Sequence, residues 1–454
     1  MSSESTKEVR VRFPPSPTGF CHVGTARMAI LNYLFARRHG GRITFRSEDT
    51  DQERSSRQFE TDITESLTWL GLSWDEFYRQ SERTDIYRAS IEQLIKEEKA
   101  YISEEESKKE PGVQVHPVRL KNPGRSITFT DIIRGEITFD TTELHDFVIA
   151  RSIDDPLYHL AVVVDDADMG ITHVIRGEDH ISNTPRQILI QEALGLERPS
   201  YAHYPLHLGS DRSKLSKRTG DVSLKSYREK GYLSEALLNY IALLGWTPPS
   251  RREVMSLNEM VGEFHLGDLH RSGAVFDVDK LRWYNRHYLL QQNEDALLHS
   301  IVSTLKPCIE ERPLPWDETI GRQLVPLIRE RISVISDIDE MVQTGELDFF
   351  FRDPAPEAVR IPEKKSEPHT ALVHLRYIYA TLEGHPDAQW SGDALKTALW
   401  EYATLHGRGN VLWPFRYALS GIEKSADPFF IASTIGKSIT MHRVGTAIKA
   451  LENL

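Results

Sequence analysis

The chain has 454 residues, a formal net charge of −12 at pH 7 and only two cysteines. This length exceeds one ordinary hydrophobic core, so we expect two to four domains. Two cysteines, Cys21 and Cys308, exclude a disulfide framework and a four-cysteine metal site. The negative charge argues against a general affinity for nucleic acid, although an acidic protein can still bind RNA through one basic face.

The amino-terminal residues lack the apolar core of a signal peptide. No apolar run approaches the roughly 18 residues that a membrane-spanning helix needs. We therefore expect a cytoplasmic protein that makes no contact with a membrane.

The first hundred residues begin with an alternation of apolar and polar side chains over residues 8–13, which predicts a strand. The proline-rich stretch 14–19 predicts a rigid loop. Apolar residues at helical spacing predict a helix over 25–39, ended by two glycines, and a second strand follows over 42–45. This order predicts a parallel α/β domain, which binds ligands at the carboxyl ends of its strands.

The middle of the chain carries a second cluster of strand signals. They cover residues 126–139, 146–151, the strongly apolar stretch 160–164, and 173–175. These segments predict the second half of the parallel sheet, entered after an insertion.

From residue 233 onward the pattern becomes helical. Residues 233–244, 318–337 and 369–382 have helical periodicity, so the carboxyl-terminal half is predicted to be mainly helical. The proline-containing stretches 307–315 and 354–362 are candidate linkers.

One group of polar residues lies at the predicted start of the first helix. His22 and Gly24 follow the proline-rich loop, where free backbone N–H groups and a partial positive charge favour a phosphate. His22 could donate to a triphosphate as charge moves onto leaving pyrophosphate. The alternative is that His22 only caps the helix and Gly24 only forms a turn.

A second group is the basic loop over residues 211–220. Lys214 and Lys217 stand three apart beside serine and glycine, an arrangement typical of a loop that closes over phosphates. A solvated surface loop is the alternative. Each group alone is a weak signal, but the two together in this order are specific.

Both groups resemble known motifs. The run from His22 to Thr25 resembles the class I aminoacyl-tRNA synthetase signature His-Ile-Gly-His, and the run from Lys214 to Arg218 resembles Lys-Met-Ser-Lys-Ser. Within that class the chain resembles the glutamyl-tRNA synthetase family along almost its whole length. The matching stretches are residues 12–19, 46–51, 78–83, 163–180, 238–246, 276–283 and 414–421.

The resemblance implies a Rossmann-like parallel-sheet catalytic domain with an inserted acceptor-binding subdomain, followed by a mainly helical anticodon-binding region. The expected parts are residues 1–100 (catalytic, first half), 101–150 (insertion), 151–225 (catalytic, second half), 226–304 (stem contact) and 305–454 (anticodon binding). The insertion is shorter than is usual in the family, and it lacks the cysteine cluster with which some members bind zinc.

The resemblance also implies a glutamate pocket. Its guanidinium forks would be Arg12 and Arg176, with Arg176 for the side-chain carboxylate. Ser16 would add a hydrogen bond, Glu48 would bind the α-ammonium group, and Tyr158 would line the pocket. The alternatives are an exposed strand residue for Arg12, a neighbour of a helix cap for Glu48 and ordinary core for Tyr158.

The resemblance further implies a catalytic set of His22, Lys214 and Lys217. The residues implied to face ATP are His22, Gly24, Thr25, Asp179, the backbone near His207, and Lys217. Two positions depart from the family pattern. Thr25 replaces the second histidine of the signature, and Ser47 stands where isoleucine is usual.

The implied activity is the ATP-dependent activation of L-glutamate and its transfer to tRNA(Glu), with Mg²⁺ as cofactor. No zinc is expected, because neither cysteine has a cysteine partner nearby. A monomer is expected. Arg331 stands where members that discriminate against glutamine tRNA carry an arginine, and a solvated helix residue is its alternative.

Four rival interpretations remain. An enzyme that glutamylates a modified tRNA base lacks an anticodon-binding half, and glutaminyl-tRNA synthetase ends in β-barrels, whereas the late chain here is helical. A catalytically inactive tRNA-binding paralogue would not need the intact candidate site. A small-molecule nucleotidyltransferase would not need this length.

Overall fold

The computed structural model describes residues 8–107, 110–209, 223–363 and 366–454. The chain divides into two compact units, Met1–Tyr288 and Leu289–Leu454. Across these described ranges, no helix has both the length and the apolar character that crossing a membrane requires.

All the strands lie in the first unit. They are β1 (Arg10–Phe13), β2 (Arg42–Ser47), β3 (Glu76–Arg79), β4 (Ala100–Ile102), β5 (Glu105–Glu106), β6 (Gln114–Val115), β7 (Val118–Leu120), β8 (Ser126–Asp131), β9 (Gly135–Asp140), β10 (Phe147–Ser152), β11 (Asp155–Pro156), β12 (His173–Gly177), β13 (Ser200–Tyr204), β14 (His207–Leu208) and β15 (Ala274–Val275), as far as the described residues extend.

The helices of the first unit surround these strands. They are α1 (Val23–Arg38), α2 (Arg57–Trp69), α3 (Thr84–Lys96), α4 (Tyr158–Asp168), α5 (Thr184–Leu194), α6 (Leu224–Glu229), α7 (Ser234–Leu243), α8 (Leu257–Glu263) and α9 (Val278–Gln291), in which the unit ends.

The second unit is helical throughout its described residues, as the sequence predicts. Its helices are α10 (Glu294–Glu311), α11 (Glu318–Gln323), α12 (Val325–Arg331), α13 (Asp337–Gln343), α14 (Asp348–Phe351), α15 (Pro368–Glu383), α16 (Gly392–His406), α17 (Arg408–Ser420) and α18 (Pro428–Glu452), which is interrupted at Gly436.

Two sheets of the first unit contain parallel strands. One has the order β1-β2-β3 with parallel pairs, and the other has the order β12-β13-β8-β9, in which β12, β13 and β8 are parallel. The Thr172 amide donates to the Arg10 carbonyl oxygen at 2.9 Å, which joins the start of β1 to the chain just before β12. The predicted parallel α/β domain is therefore confirmed.

The alternating pattern of strand β1 predicts one buried and one exposed face, but residues on both faces are buried. Val11 and Phe13 are fully buried, as the alternation predicts, but the Arg12 side chain between them is only 2% exposed. Parallel sheets are commonly covered on both faces, so both sets of side chains on such a strand are withdrawn from water.

The strand predicted over residues 160–164 is wrong, because this segment lies within helix α4. Five consecutive apolar residues there are all buried, and so are the next two, Asp165 and Asp166. A helix that is buried on all sides has no polar face, so its sequence lacks the 3.6-residue periodicity and is indistinguishable from a buried strand.

The sequence pattern predicts that residues 146–151 belong to the second half of the parallel sheet, and this prediction is also wrong. They form β10, which pairs antiparallel with β7 and β11 in a separate four-stranded sheet, order β11-β10-β7-β4. Likewise β9 pairs antiparallel with β8. Strand propensity identified these segments, but pairing direction depends on partners distant in the sequence.

The candidate linker that begins at Pro307 is wrong in its first half, since helix α10 runs through Pro307 to Glu311. Proline inside a helix removes one backbone hydrogen bond. The buried stripe of Leu297, Ile301, Leu305 and Ile309 continues on both sides of it and offsets that loss.

Asp165 ties α4 to the chain around α3. Its carboxylate is fully buried and accepts hydrogen bonds of 2.8 Å each from Gln80 Nε2, Arg83 Nε and the Tyr87 hydroxyl. Removal of one partner from a buried ion pair is strongly destabilising, because the other charge is left without compensation.

We predict that Asp165→Asn lowers the free energy of unfolding of the first unit by about 3 kcal/mol. Asp168→Asn is the matched control, because Asp168 pairs with the same Arg83 but is 52% exposed. Its loss should cost less than about 1 kcal/mol. Calorimetric melting of both variants tests this, and equal losses would contradict it.

Candidate active site

His22 caps the amino terminus of α1. Its backbone is extended, and its Nδ1 accepts hydrogen bonds from the amides of Gly24 (3.1 Å) and Thr25 (3.3 Å). A neutral imidazole that accepts at Nδ1 carries its proton at Nε2. His22 therefore does cap the helix. The cap also fixes the orientation of the ring, whose Nε2 lies 3.4 Å from the Thr25 hydroxyl oxygen.

Gly24 is required by the same cap. A Cβ atom at this position would lie 2.9 Å from Cε1 and 3.0 Å from Nδ1 of His22. Any side chain here would displace the imidazole ring from the helix terminus. The pairing of histidine with glycine two residues later thus has a steric reason.

A cluster of buried charges lies where β1 and β2 end. Asp166 Oδ1 accepts from Arg12 Nε at 3.2 Å and from Arg46 Nη1 at 2.7 Å, and Arg46 Nη2 donates to Glu48 Oε1 at 2.9 Å. All four side chains are buried. The alternative of an exposed strand residue for Arg12 is thereby excluded.

The two carboxylates of this cluster differ in their pKa. Burial raises the pKa of Glu48, and Arg46 and Arg12 oppose this only in part. Burial also acts to raise the pKa of Asp166, but Arg12 and Arg46 together hold it below its ordinary value. Asp166 is therefore the charge that holds both arginines, while Glu48 gains most from a further cation.

Arg176 lies on β12 and is buried. Its Nε donates to His203 Nε2 at 3.0 Å and its Nη2 to the Thr184 hydroxyl at 2.9 Å. Burial lowers the pKa of Arg176, and the positive charge of Arg12 lowers it further. The guanidinium groups of Arg12 and Arg176 thus share one electrostatic environment.

Tyr158 begins helix α4 beside this environment. Its hydroxyl lies 3.3 Å from Nδ1 of His180. Burial and then the charge of Glu48 raise the pKa of Tyr158 to about 12, against the opposing influence of Arg176 and Arg12. Tyr158 therefore belongs to the same group of side chains as the two arginines and Glu48.

Three further predicted residues are less buried than the charged cluster. Ser16 is exposed on the proline-rich loop, and Thr25 is half-buried in the first turn of α1. Asp179 is exposed just after β12, and its carboxylate folds back over Gly177, where a Cβ would lie 2.5 Å from Oδ1.

His207 is buried on β14, and neither ring nitrogen has a hydrogen-bond partner among the described residues. Burial and then the charge of Arg27 hold the pKa of His207 well below its ordinary value, so the ring is neutral. Arg27, also buried, donates to the Pro205 carbonyl oxygen and packs against Gly245.

Three predicted residues remain. Lys214 and Lys217 fall within residues 210–222, outside the described ranges. Arg331 ends α12 in the second unit, where its Nη1 lies 3.1 Å from Glu346 Oε2 in an exposed ion pair.

Sequence reasoning missed five residues of the site: Arg46, Asp166, Asp131, His203 and Thr184. Arg46 and Asp166 fall inside stretches that resemble the family, so the signal was present but their burial was not visible. Asp131 and His203 carry no local signal, since the strand order of the sheet alone places His203 against Arg176 and Asp131 against His203.

Within the residues that the structure describes, no group of three or more carboxylate, imidazole or thiol side chains could hold a metal ion. Cys21 is buried and Cys308 is half-buried. The expectation about zinc stays a prediction.

Comparisons with known proteins identify the family of this chain. The family described as tRNA synthetases class I (E and Q), catalytic domain, matches residues 8–110 and 102–283, and the anticodon binding domain matches residues 288–448. The glutamate–tRNA ligase of Desulforamulus reducens is 37% identical over 97% of this chain and 100% of its own length. That of Aquifex aeolicus is 48% identical over 66% of this chain and 71% of its own length.

A similar solved structure is the glutamate tRNA ligase from Elizabethkingia meningosepticum in complex with its amino acid. It has a TM-score of 0.85 at 31% identity, over 98% of this chain and 100% of that one. The matches together span both units. The chain therefore belongs to the class I tRNA synthetases of the E and Q type, and within them to the glutamate–tRNA ligase family.

Proposed function

We propose that this chain is a glutamate–tRNA ligase, which activates L-glutamate with ATP and attaches it to tRNA(Glu). The family membership supports this activity as a whole.

One observation carries the assignment of the substrate. Arg12 and Arg176 are each buried, and the Nη1 atom of each has no hydrogen-bond partner among the described residues. A buried guanidinium N–H without an acceptor costs free energy, which an incoming carboxylate recovers through a charge-assisted hydrogen bond. Two such groups in one environment suit an amino acid with two carboxylates.

The charges of the cluster suit the same ligand. Arg12, Arg46 and Arg176 are positive, whereas Glu48 and Asp166 are negative when both are ionised, so one positive charge is in excess. L-Glutamate carries two carboxylates and one ammonium group, a net charge of −1. Arg176 takes the side-chain carboxylate, and Glu48, whose pKa burial raises, takes the ammonium group.

The nucleotide lies along the start of α1. The Nε2 N–H of His22 and the amino terminus of the helix stabilise the phosphates, and Gly24 leaves room for them. Thr25, Asp179 and the backbone at His207 contact the rest of ATP. Ser16 and Tyr158 complete the amino-acid side of the pocket.

The reaction proceeds in two steps. An oxygen of the α-carboxylate of glutamate attacks the α-phosphorus of ATP, and the bond to the bridging oxygen of the β-phosphate breaks, which releases pyrophosphate. The terminal ribose hydroxyl of tRNA then attacks the activated carbonyl carbon, and AMP leaves with the bonding electrons. His22, Lys214 and Lys217 stabilise the charge that develops on the phosphates, so orientation and electrostatics supply the catalysis.

We propose for the parts of the chain the division expected from the sequence, with one change. Residues 1–100 and 151–225 form the two halves of the catalytic domain, 101–150 bind the acceptor end, 226–304 contact the stem and 305–454 bind the anticodon. The change concerns β8 and β9, which lie within 101–150 but share a sheet with β12 and β13, so we assign them to the second half of the catalytic domain. The helical character of the second unit supports the assignment of residues 305–454.

The remaining expectations concern cofactors and environment. Mg²⁺ would arrive bound to the phosphates of ATP, and no step above depends on it. We propose a zinc-free, cytoplasmic monomer.

We predict that Arg176→Gln lowers the preference for glutamate over glutamine by about 30-fold in kcat/KM, because a neutral amide replaces the charge-assisted partner. Aminoacylation assays with each amino acid measure this ratio. Arg198→Gln is the matched control, since Arg198 is partly exposed and pairs with Glu192. An unchanged ratio in Arg176→Gln would assign the side-chain carboxylate to another residue.

We predict that Lys217→Ala reduces the rate of aminoacylation by at least about 100-fold, because it removes a charge that stabilises leaving pyrophosphate. Melting temperature should stay unchanged. Lys306→Ala, at a half-exposed lysine of α10, should leave both quantities unchanged. A wild-type rate in Lys217→Ala would refute the role of this loop.

We predict that Arg331→Gln reduces the preference for glutamate tRNA over glutamine tRNA by about tenfold, because the guanidinium fork reads one base edge. Glu346→Gln is the control, since it removes only the exposed partner of Arg331 and should retain the preference. If wild-type protein charges both transcripts equally, Arg331 is a solvated helix residue.

A further inference from the structure

Arg176 is held by protein acceptors on two of its three nitrogens. Nε donates to His203 Nε2 at 3.0 Å and Nη2 donates to the Thr184 hydroxyl at 2.9 Å. Nη1 is buried and has no acceptor among the residues described. The direction of this one nitrogen is therefore set by the two contacts that fix the rest of the planar group.

His203 accepts from Arg176 only in one tautomer. Its Nδ1 lies 2.7 Å from Oδ2 of Asp131, and an ionised carboxylate accepts hydrogen bonds but donates none. Nδ1 must therefore carry the proton. In a neutral ring this leaves the lone pair on Nε2, where Arg176 donates.

The Asp131 carboxylate is fixed and ionised. Its Oδ1 accepts from the amides of Ile133 (3.0 Å) and Arg134 (2.9 Å), and its Oδ2 also accepts from the His203 amide (3.0 Å). Burial acts to raise the pKa of Asp131, but the His203 ring and these amides hold it below its ordinary value. Burial lowers the pKa of His203, so its ring is neutral at neutral pH.

The opposite tautomer would place two donors against each other. With the proton on Nε2, an imidazole N–H would face the Nε–H of Arg176 across the same 3.0 Å. The guanidinium would then rotate or shift, and Nη1 would move with it. The arrangement crosses three adjacent parallel strands, because Asp131 ends β8, His203 lies on β13 and Arg176 lies on β12.

Thr184 supplies the second fixed point at the start of α5. Its hydroxyl accepts from Arg176 Nη2 and lies 3.3 Å from the His180 carbonyl oxygen, to which it can donate. Its side chain is fully buried. Water is therefore excluded from both contacts of the guanidinium, which strengthens them.

We propose that Asp131, His203 and Thr184 are positioning residues that determine how tightly and how selectively Arg176 binds the side-chain carboxylate of glutamate. This inference rests on the proposed function, in which Arg176 contacts that carboxylate. None of the three residues touches the substrate. They act by presenting Nη1 in one orientation, so that the carboxylate completes a guanidinium that is otherwise satisfied.

Two substitutions of His203 separate positioning from a structural role. In His203→Gln the side-chain carbonyl reaches the place of Nε2 and still accepts from Arg176. In His203→Asn the amide reaches only the place of Nδ1, so it can bond Asp131 but leaves Arg176 Nε without an acceptor. Thr184→Val removes the other acceptor with nearly unchanged volume, and it serves as an independent variant if His203→Asn fails to fold.

The readouts are the KM values for glutamate and ATP in aminoacylation, with the glutamate-to-glutamine ratio of kcat/KM. We expect His203→Asn and Thr184→Val to raise the KM for glutamate about tenfold and to lower the ratio, with the KM for ATP unchanged. His203→Gln should stay within about threefold of wild type. Tyr201→Phe is the control. Tyr201 lies on the same strand as His203, and its substitution removes a buried hydrogen bond to Gln191 of α5, so neither KM should change.

Equal effects of His203→Asn and His203→Gln on the KM for glutamate, or a parallel rise in the KM for ATP, would overturn the proposal in favour of a structural network. Arg176→Gln is measured alongside. If it raises the KM for glutamate while His203→Asn and Thr184→Val do not, only this inference fails. If Arg176→Gln itself has no effect, the assignment of Arg176 in the proposed function fails as well.

Discussion

Buried guanidinium groups at the carboxyl ends of the parallel strands constrain most of the first unit. Arg12, Arg46 and Arg176 are each withdrawn from water, so the protein itself must supply their acceptors. Asp166 holds the first two, and a neutral histidine and a threonine hydroxyl hold the third. The Nη1 atoms that remain define where an anionic ligand can bind. The binding site is thus marked by the Nη1 atoms of Arg12 and Arg176, for which the described residues supply no acceptor.

Helix α4 connects this network to the stability of the fold. Its consecutive residues Asp165 and Asp166 are both buried, and their hydrogen bonds go to different partners, although Arg46 lies near both carboxylates. Asp166 serves the arginines of the pocket, whereas Asp165 accepts three hydrogen bonds from the chain around α3. One turn of helix therefore sets both the position of the pocket and the packing of its support. A shift of this helix would disturb both at once.

The same positive cluster keeps nearby imidazole rings neutral. Burial and then the charge of Arg176 lower the pKa of His180 to about 4, and burial lowers the pKa of His203. Neutral rings are useful here because they can accept hydrogen bonds from arginine, which an imidazolium cannot do. His22 is exposed and accepts hydrogen bonds from backbone amides at the helix terminus, so a helix cap directs its N–H. The two ends of the candidate site thus orient their histidines by different means.

The sequence by itself determined the opening strand, loop and helix, the helical second unit and the family, because periodicity and contiguous motifs are local signals. It also indicated Arg12, Glu48, Tyr158 and Arg176, which the fold brings into one environment. The sequence pattern predicts a strand where the buried helix α4 lies, because a segment without a polar face carries no helical period. The contact of His203 with Arg176, and that of Asp131 with His203, were decided only by tertiary structure. They depend on which strands lie side by side, and that order follows from packing between segments far apart in the chain, which no local pattern encodes.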